Sequence, residues 1–97
     1  MALEICWTSR AEQGLQNVID YLEVHWTTKE IIELEQKIYQ VLNLITTFPN
    51  LFKKSEFYPQ VNKAVIDKNN YLVYRINKKT KTIEIINFRG TKQLPIY

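Results

Sequence analysis

With 97 residues, 45% of them hydrophobic, the chain suits one small folded unit, residues 1–97, and its composition argues against disorder. Thirteen Lys/Arg against ten Asp/Glu hide an asymmetry: residues 50–97 carry ten basic and three acidic side chains, residues 1–49 three and seven. Two glycines argue against a Gly-rich phosphate loop, the single Cys6 excludes an internal disulfide or multi-cysteine zinc site, and no apolar run nears the ~18 residues of a membrane span.

In chain order, Leu3, Ile5 and Trp7 alternate with Glu4, Cys6 and Thr8, the period-2 signature of a strand with one buried face. Ser9-Arg10-Ala11-Glu12 offers a capping box, and Ala11, Leu15, Val18, Ile19, Leu22 and Trp26 then form one helical stripe. A second box, Thr27-Thr28-Lys29-Glu30, ends that helix near His25 and opens another. Its stripe is Ile31, Leu34, Ile38, Val41, Leu42 and Ile45, and Pro49 closes it. So short a joint predicts an antiparallel helical hairpin.

Residues 50–60 read as a loop, and strands are expected at about 61–66, 71–76 and 82–88. Asp67-Lys68-Asn69-Asn70 suits a four-residue turn, and Asn77 to Lys81 a second one. The order β-α-α-β-β-β predicts an α+β fold, an antiparallel sheet with the helical hairpin on one face. Pairing through those turns puts Val61, Val65, Leu72, Tyr74, Ile76, Ile83 and Ile85 under the helices. Asn62, Ala64, Ile66, Tyr71, Val73, Arg75, Glu84, Ile86 and Phe88 then share an uncovered face, and a one-residue slip would exchange the two sets. An uncovered apolar patch of that extent marks a partner surface, unless the tail Thr91–Tyr97 folds back over it.

Several side chains admit two readings. Arg75 faces Glu84 across the predicted hairpin, as an ion pair or as a clamp for phosphate or an acidic side chain. Arg89 and Lys92 are either solvated charge or part of a phosphate- or target-binding cluster. Lys53, Lys54, Lys78, Lys79 and Lys81 read as solubilising loop charge. His25 sits where a cation complements a helix C-terminus, and Trp7 and Trp26 read as core or helix-end packing. Tyr71 and Tyr97 are the tyrosines nearest a basic site, but a phenol needs strong tuning to act as a base. No metal cluster, cofactor motif or nucleophile–base pair is readable from spacing.

Ile5-Cys6-Trp7-Thr8 followed by Ala11, Leu15, Ile19, Tyr21 and Leu22 resembles the opening of the RelE/ParE toxin superfamily. So do Thr47-Phe48-Pro49, Val61 to Ile66, Tyr71-Leu72-Val73-Tyr74-Arg75-Ile76 and Ile83-Glu84-Ile85-Ile86, and the resemblance covers about nine-tenths of the chain. It implies a toxin of a type II toxin–antitoxin, plasmid-stabilisation type system that inhibits growth and is neutralised by a cognate antitoxin. Ile66, Val73, Arg75, Ile86 and Phe88 are the expected antitoxin contacts, and Arg75, Arg89, Lys92 and Tyr71 the expected target contacts.

RelE-like members cut mRNA in the ribosome, whereas ParE-like members inhibit DNA gyrase with no evident hydrolytic site. Tyr71 stands here where the RelE strand carries arginine, Asn62 and Ala64 replace expected lysines, and Lys63 is expected on the helix side. The Tyr-Arg-Ile strand with Phe88-Arg89 is closer to ParE, although Gly90 to Pro95 departs from the usual basic, histidine-containing ending. The resemblance thus implies a gyrase inhibitor, with a ribosome-dependent mRNA endoribonuclease as the alternative. The expected location is cytoplasmic, with no membrane, metal, cofactor or small-molecule partner.

Overall fold

The computed structural model describes residues 3–54 and 60–90. Strand β1 (Glu4–Trp7) leads into α1 (Ser9–His25) and α2 (Thr28–Thr47), followed by β2 (Asn62–Asp67), β3 (Asn70–Asn77) and β4 (Thr82–Gly90). The sheet runs β1-β4-β3-β2, with α1 lying over β4 and α2 over β2. The last three strands are antiparallel as expected, but β1 pairs with β4 in parallel, making the sheet mixed. The cause is the crossover: the two helices carry the chain from β1 at one edge to β2 at the other, leaving β1 parallel to β2 and hence to β4.

Thr8, not Ser9, caps α1. Its hydroxyl accepts from the Ala11 N–H at 3.2 Å and donates to the Ile85 carbonyl at 2.7 Å, so one side chain both caps the helix and ties it to β4. The second capping site is as read from the sequence. The Thr27 N–H donates to the Glu30 carboxylate at 3.0 Å, and bonding from Thr27 holds that carboxyl below its ordinary range.

The stripes point inward. Ala11 and Val18 of α1 and Leu34, Ile38, Val41 and Ile45 of α2 are buried against Ala64, Leu72, Tyr74, Ile83 and Ile85 of the sheet. Trp7 packs partly against this core, but Trp26 caps α1 through its N–H and remains 54% exposed. At the centre Tyr74 is fully buried and its hydroxyl donates to the Pro49 carbonyl at 2.7 Å; burial pushes this phenol up from its ordinary pKa.

Two bulges change which face several residues take. The β2–β3 turn is tighter than four residues: Asp67 pairs with Asn70, and Asp67 Oδ1 accepts from the Asn69 N–H at 2.7 Å. Ile66 is the extra residue, so Val65, not Ile66, stands opposite Tyr71. That one-residue shift inverts all of β2: Asn62, Ala64 and Ile66 turn under the helices, and Lys63 and Val65 turn out. In β4 the register shifts between Val73↔Asn87 and Tyr74↔Ile85, leaving Ile86 extra. Beyond it Phe88 swings into the core, 1% exposed. Helix α1 passes so close here that a methyl on Gly14 would lie 2.2 Å from the Phe88 carbonyl oxygen.

Candidate functional site

The sheet face away from the helices is built from outward-facing residues in three rungs. The first places Cys6 beside Glu84 and Glu84 beside Arg75. The second joins Asn87 to Val73 and Val73 to Lys63, with the extra residue Ile86 next to it, although Asn87 turns its amide oxygen toward Gly14 of α1. The third joins Arg89 to Tyr71 and Tyr71 to Val65. Apolar Val73, Ile86 and Val65 thus occupy the middle and one margin, with cations around them.

Arg75 and Glu84 form the expected cross-strand pair: Arg75 Nε donates to Glu84 Oε1 at 2.9 Å and Nη2 to the same oxygen at 2.5 Å. With half of the arginine side chain exposed, such a pair contributes at most ~1 kcal/mol. Its consequence is electrostatic: Glu84, at this end of the face, is already held by a cation.

The other cations gather elsewhere. Lys63 Nζ lies 4.4 Å from the centroid of the Tyr71 ring, a cation–π contact worth about 0.5–1 kcal/mol at an exposed site. Arg89 stands directly opposite Tyr71 in the ladder. Tyr71 and Arg75 stand four positions apart on β3, about 13 Å along the strand. The face therefore has a Lys63–Tyr71–Arg89 cluster toward one end, Lys63 reaching Tyr71 from the neighbouring rung, and the Arg75–Glu84 pair at the other. Two cations flanking a phenol can hold an anionic group, phosphate or carboxylate.

Of the expected target contacts, Tyr71 and Arg89 are brought together, Arg75 shares their face at a distance, and Lys92 lies outside the described residues. Of the expected antitoxin contacts, Val73, Arg75 and Ile86 are on the open face. Ile66 and Phe88 are not: both are buried under the helices, because Ile66 is itself the extra residue of β2 and Phe88 follows the extra residue Ile86 of β4. Lys63 and Val65 take part where the sequence reading had them covered. The signal that could have found them is Asp67, whose side chain favours an Asx-type turn tight enough to shift the register by one.

Among the described residues no group of three His, Cys, Asp or Glu is arranged to hold a metal ion, and no helix is long and apolar enough to cross a membrane. Charge follows the layers. Six of the seven acidic residues before residue 50 lie on the helices, whereas Lys63, Arg75 and Arg89 lie on the open sheet face. On the opposite side, a groove of about 620 Å³ runs past Tyr21, Leu22 and Trp26 and the β2–β3 turn, without using Lys63, Tyr71 or Arg89.

Residues 5–95 match the family described as the ParE toxin of the type II toxin–antitoxin system, parDE. No curated protein matches the chain. Among solved structures, a chain of the toxin–antitoxin complex RelBE2 from Mycobacterium tuberculosis is similar at a TM-score of 0.60 and 13% identity, with 93% of this chain and 99% of that chain covered. A mutant of the E. coli toxin RelE, solved with a peptide of the antitoxin RelBc, superposes at a TM-score of 0.48 and 18% identity over 97% and 87% of the two chains. At 13% identity the likeness to the RelBE2 chain is one of fold.

Proposed function

Because the chain belongs to the ParE toxin family of type II toxin–antitoxin systems, we propose that it inhibits DNA gyrase by binding, and that a cognate antitoxin silences it. The single observation that carries the binding reading is the makeup of the open sheet face. It presents an apolar centre and a Lys63–Tyr71–Arg89 cluster at one end, while Glu84, at the other end, is engaged by Arg75. Such a surface supplies affinity and orientation, and Glu84 is held in an ion pair rather than poised to move a proton.

In this reading Lys63, Tyr71 and Arg89 contact the target. Val65, Val73 and Ile86, with Arg75 as a charged edge, form the seat of the antitoxin. A segment with acidic and apolar side chains fits it best, since it would meet both the cations and the apolar centre. That the RelBE2 neighbour was solved as a toxin–antitoxin complex supports such a partner here. The cytoplasm, where gyrase works, is the proposed location.

One observation favours the alternative, a ribosome-dependent mRNA endoribonuclease. Two cations around a phenol are what stabilising charge on a scissile phosphate would require. Induced expression in a bacterial host separates the two. Growth arrest with a DNA-damage response and intact transcripts is expected. Arrest with rapid transcript cleavage and no damage response would replace the gyrase reading with the ribonuclease one.

A further inference from the structure

In a regular strand successive carbonyls point to opposite edges, so a neighbour on one edge bonds every second one. β4 departs from that at Ile86, the extra residue between the pairs Val73↔Asn87 and Tyr74↔Ile85. There the Thr8 hydroxyl reaches two carbonyls in a row, Ile85 at 2.7 Å and Ile86 at 3.2 Å. The Thr8 N–H donates to the Ile85 carbonyl as well, at 3.2 Å. The same hydroxyl oxygen accepts from the Ala11 N–H. One half-buried hydroxyl thus spends its proton on the bulge and a lone pair on the helix.

Helix α1 meets the strand again just beyond the bulge. At Gly14 its backbone lies against the Phe88 carbonyl, where a methyl would collide. The Phe88 N–H turns to Asn87 Oδ1 at 2.9 Å. Two points of α1, its N-cap and Gly14, therefore bracket the place where β4 gains its extra residue.

What the bulge decides is register. An unbroken strand after Ile85 would set Ile86 opposite Val73 and Phe88 opposite Tyr71, and would turn Arg89 to the helix side. With the extra residue, Phe88 stands buried opposite Leu72, and Arg89 stands opposite Tyr71. We infer that Thr8 is a positioning residue for the open face: by clamping the Ile85 and Ile86 carbonyls it fixes the one-residue offset that sets Arg89 against Tyr71. Its influence passes through β4, not through contact with the target. Its effect on toxicity rests on the reading that the Lys63–Tyr71–Arg89 cluster meets the target, whereas its hold on the register is measured separately.

Four variants separate the clamp from the cap. Thr8→Ser keeps both. Thr8→Asp keeps a cap acceptor for α1, but has no proton for the two carbonyls and sets its charge against them. Thr8→Val, of nearly the same shape, loses both. Thr27→Ala weakens the cap of the other helix and controls for stability alone. Each is induced in a bacterial host beside wild type. Each purified protein is followed by denaturation and by nuclear magnetic resonance, which reads the cross-strand Tyr71–Arg89 and Leu72–Phe88 contacts. Thr8→Ser is expected to match wild type. Thr8→Asp and Thr8→Val are expected to fold, to lose the Tyr71–Arg89 contact, and to need about tenfold more toxin for the same growth arrest. Thr27→Ala should lower the denaturation midpoint and leave contacts and toxicity unchanged. A Tyr71–Arg89 contact retained in both Thr8→Asp and Thr8→Val would overturn the inference, as would a Thr8→Ser protein as impaired as they are. Failure of both to fold would also overturn it, making Thr8 a folding residue only. Loss of the contact with full toxicity would leave the hold on register standing and sink the cluster as the target contact. Growth arrest through transcript cleavage would sink the gyrase reading alone.

Discussion

Phe88→Ala is expected to lose about 3–5 kcal/mol of folding stability, read as a lower denaturation midpoint at unchanged slope. A small domain has only ~5–15 kcal/mol in hand, so the variant should lie close to unfolding. Phe88 stands opposite Leu72 in the ladder and both are buried, beneath the point where α1 comes nearest the sheet. The same contact can be approached from the helix. Gly14→Ala should gain ~0.5–1 kcal/mol of helix propensity, yet its methyl would meet the Phe88 carbonyl oxygen at 2.2 Å. Backbone on both sides must then move, so a net loss of about 1–3 kcal/mol is expected. Phe88→Ala with wild-type stability and weakened antitoxin binding would return Phe88 to the open face and refute the β4 bulge.

Reversing the charge of the open-face cluster, Lys63→Glu with Arg89→Glu, is expected to reduce toxicity about a hundredfold, measured as the induction level needed to arrest growth. Both residues flank Tyr71, so the change replaces two attractive contacts with two repulsive ones at one spot. Arg75→Ala should cost far less, because its guanidinium is already committed to Glu84 and the pair is half in solvent. The wild-type interaction should weaken with added salt while an apolar component persists. Abolished toxicity in Arg75→Ala, beside a fully toxic double reversal, would move the target contact to the other end of the face.

Much of this was legible in the chain. The stripes from Ala11 to Leu22 and from Leu34 to Ile45, the Thr27–Glu30 box and the Arg75–Glu84 pair are local regularities, and the structure places them as read. The failures lie where a second element decides. An alternating strand shows no trace of a bulge, because the two-against-one count belongs to the partner strand. Ile66 and Ile86 therefore passed as ordinary members of their strands, and residues 62–66 of β2, along with Phe88, took the wrong face. The parallel placement of β1 is likewise a property of the crossover, not of Leu3, Ile5 and Trp7. Thr8 was overlooked as a cap because its second partner, the Ile85 carbonyl, lies 77 residues away.

The site was half legible for the same reason. Tyr71 is on the open face as expected, but an unbroken register puts Phe88 opposite it, and the extra residue Ile86 brings Arg89 there instead. Lys63 joins them through the β2 shift alone, and it is the residue that turns a tyrosine–arginine pair into a cluster.

The most direct test is DNA supercoiling by purified gyrase in the presence of the purified protein, with and without its antitoxin. Binding-based toxicity predicts inhibition that rises with protein concentration, is relieved by the antitoxin, and is lost in the Lys63→Glu, Arg89→Glu protein. Supercoiling unchanged at every concentration, with mRNA cut in programmed ribosomes by the same preparation, would contradict it.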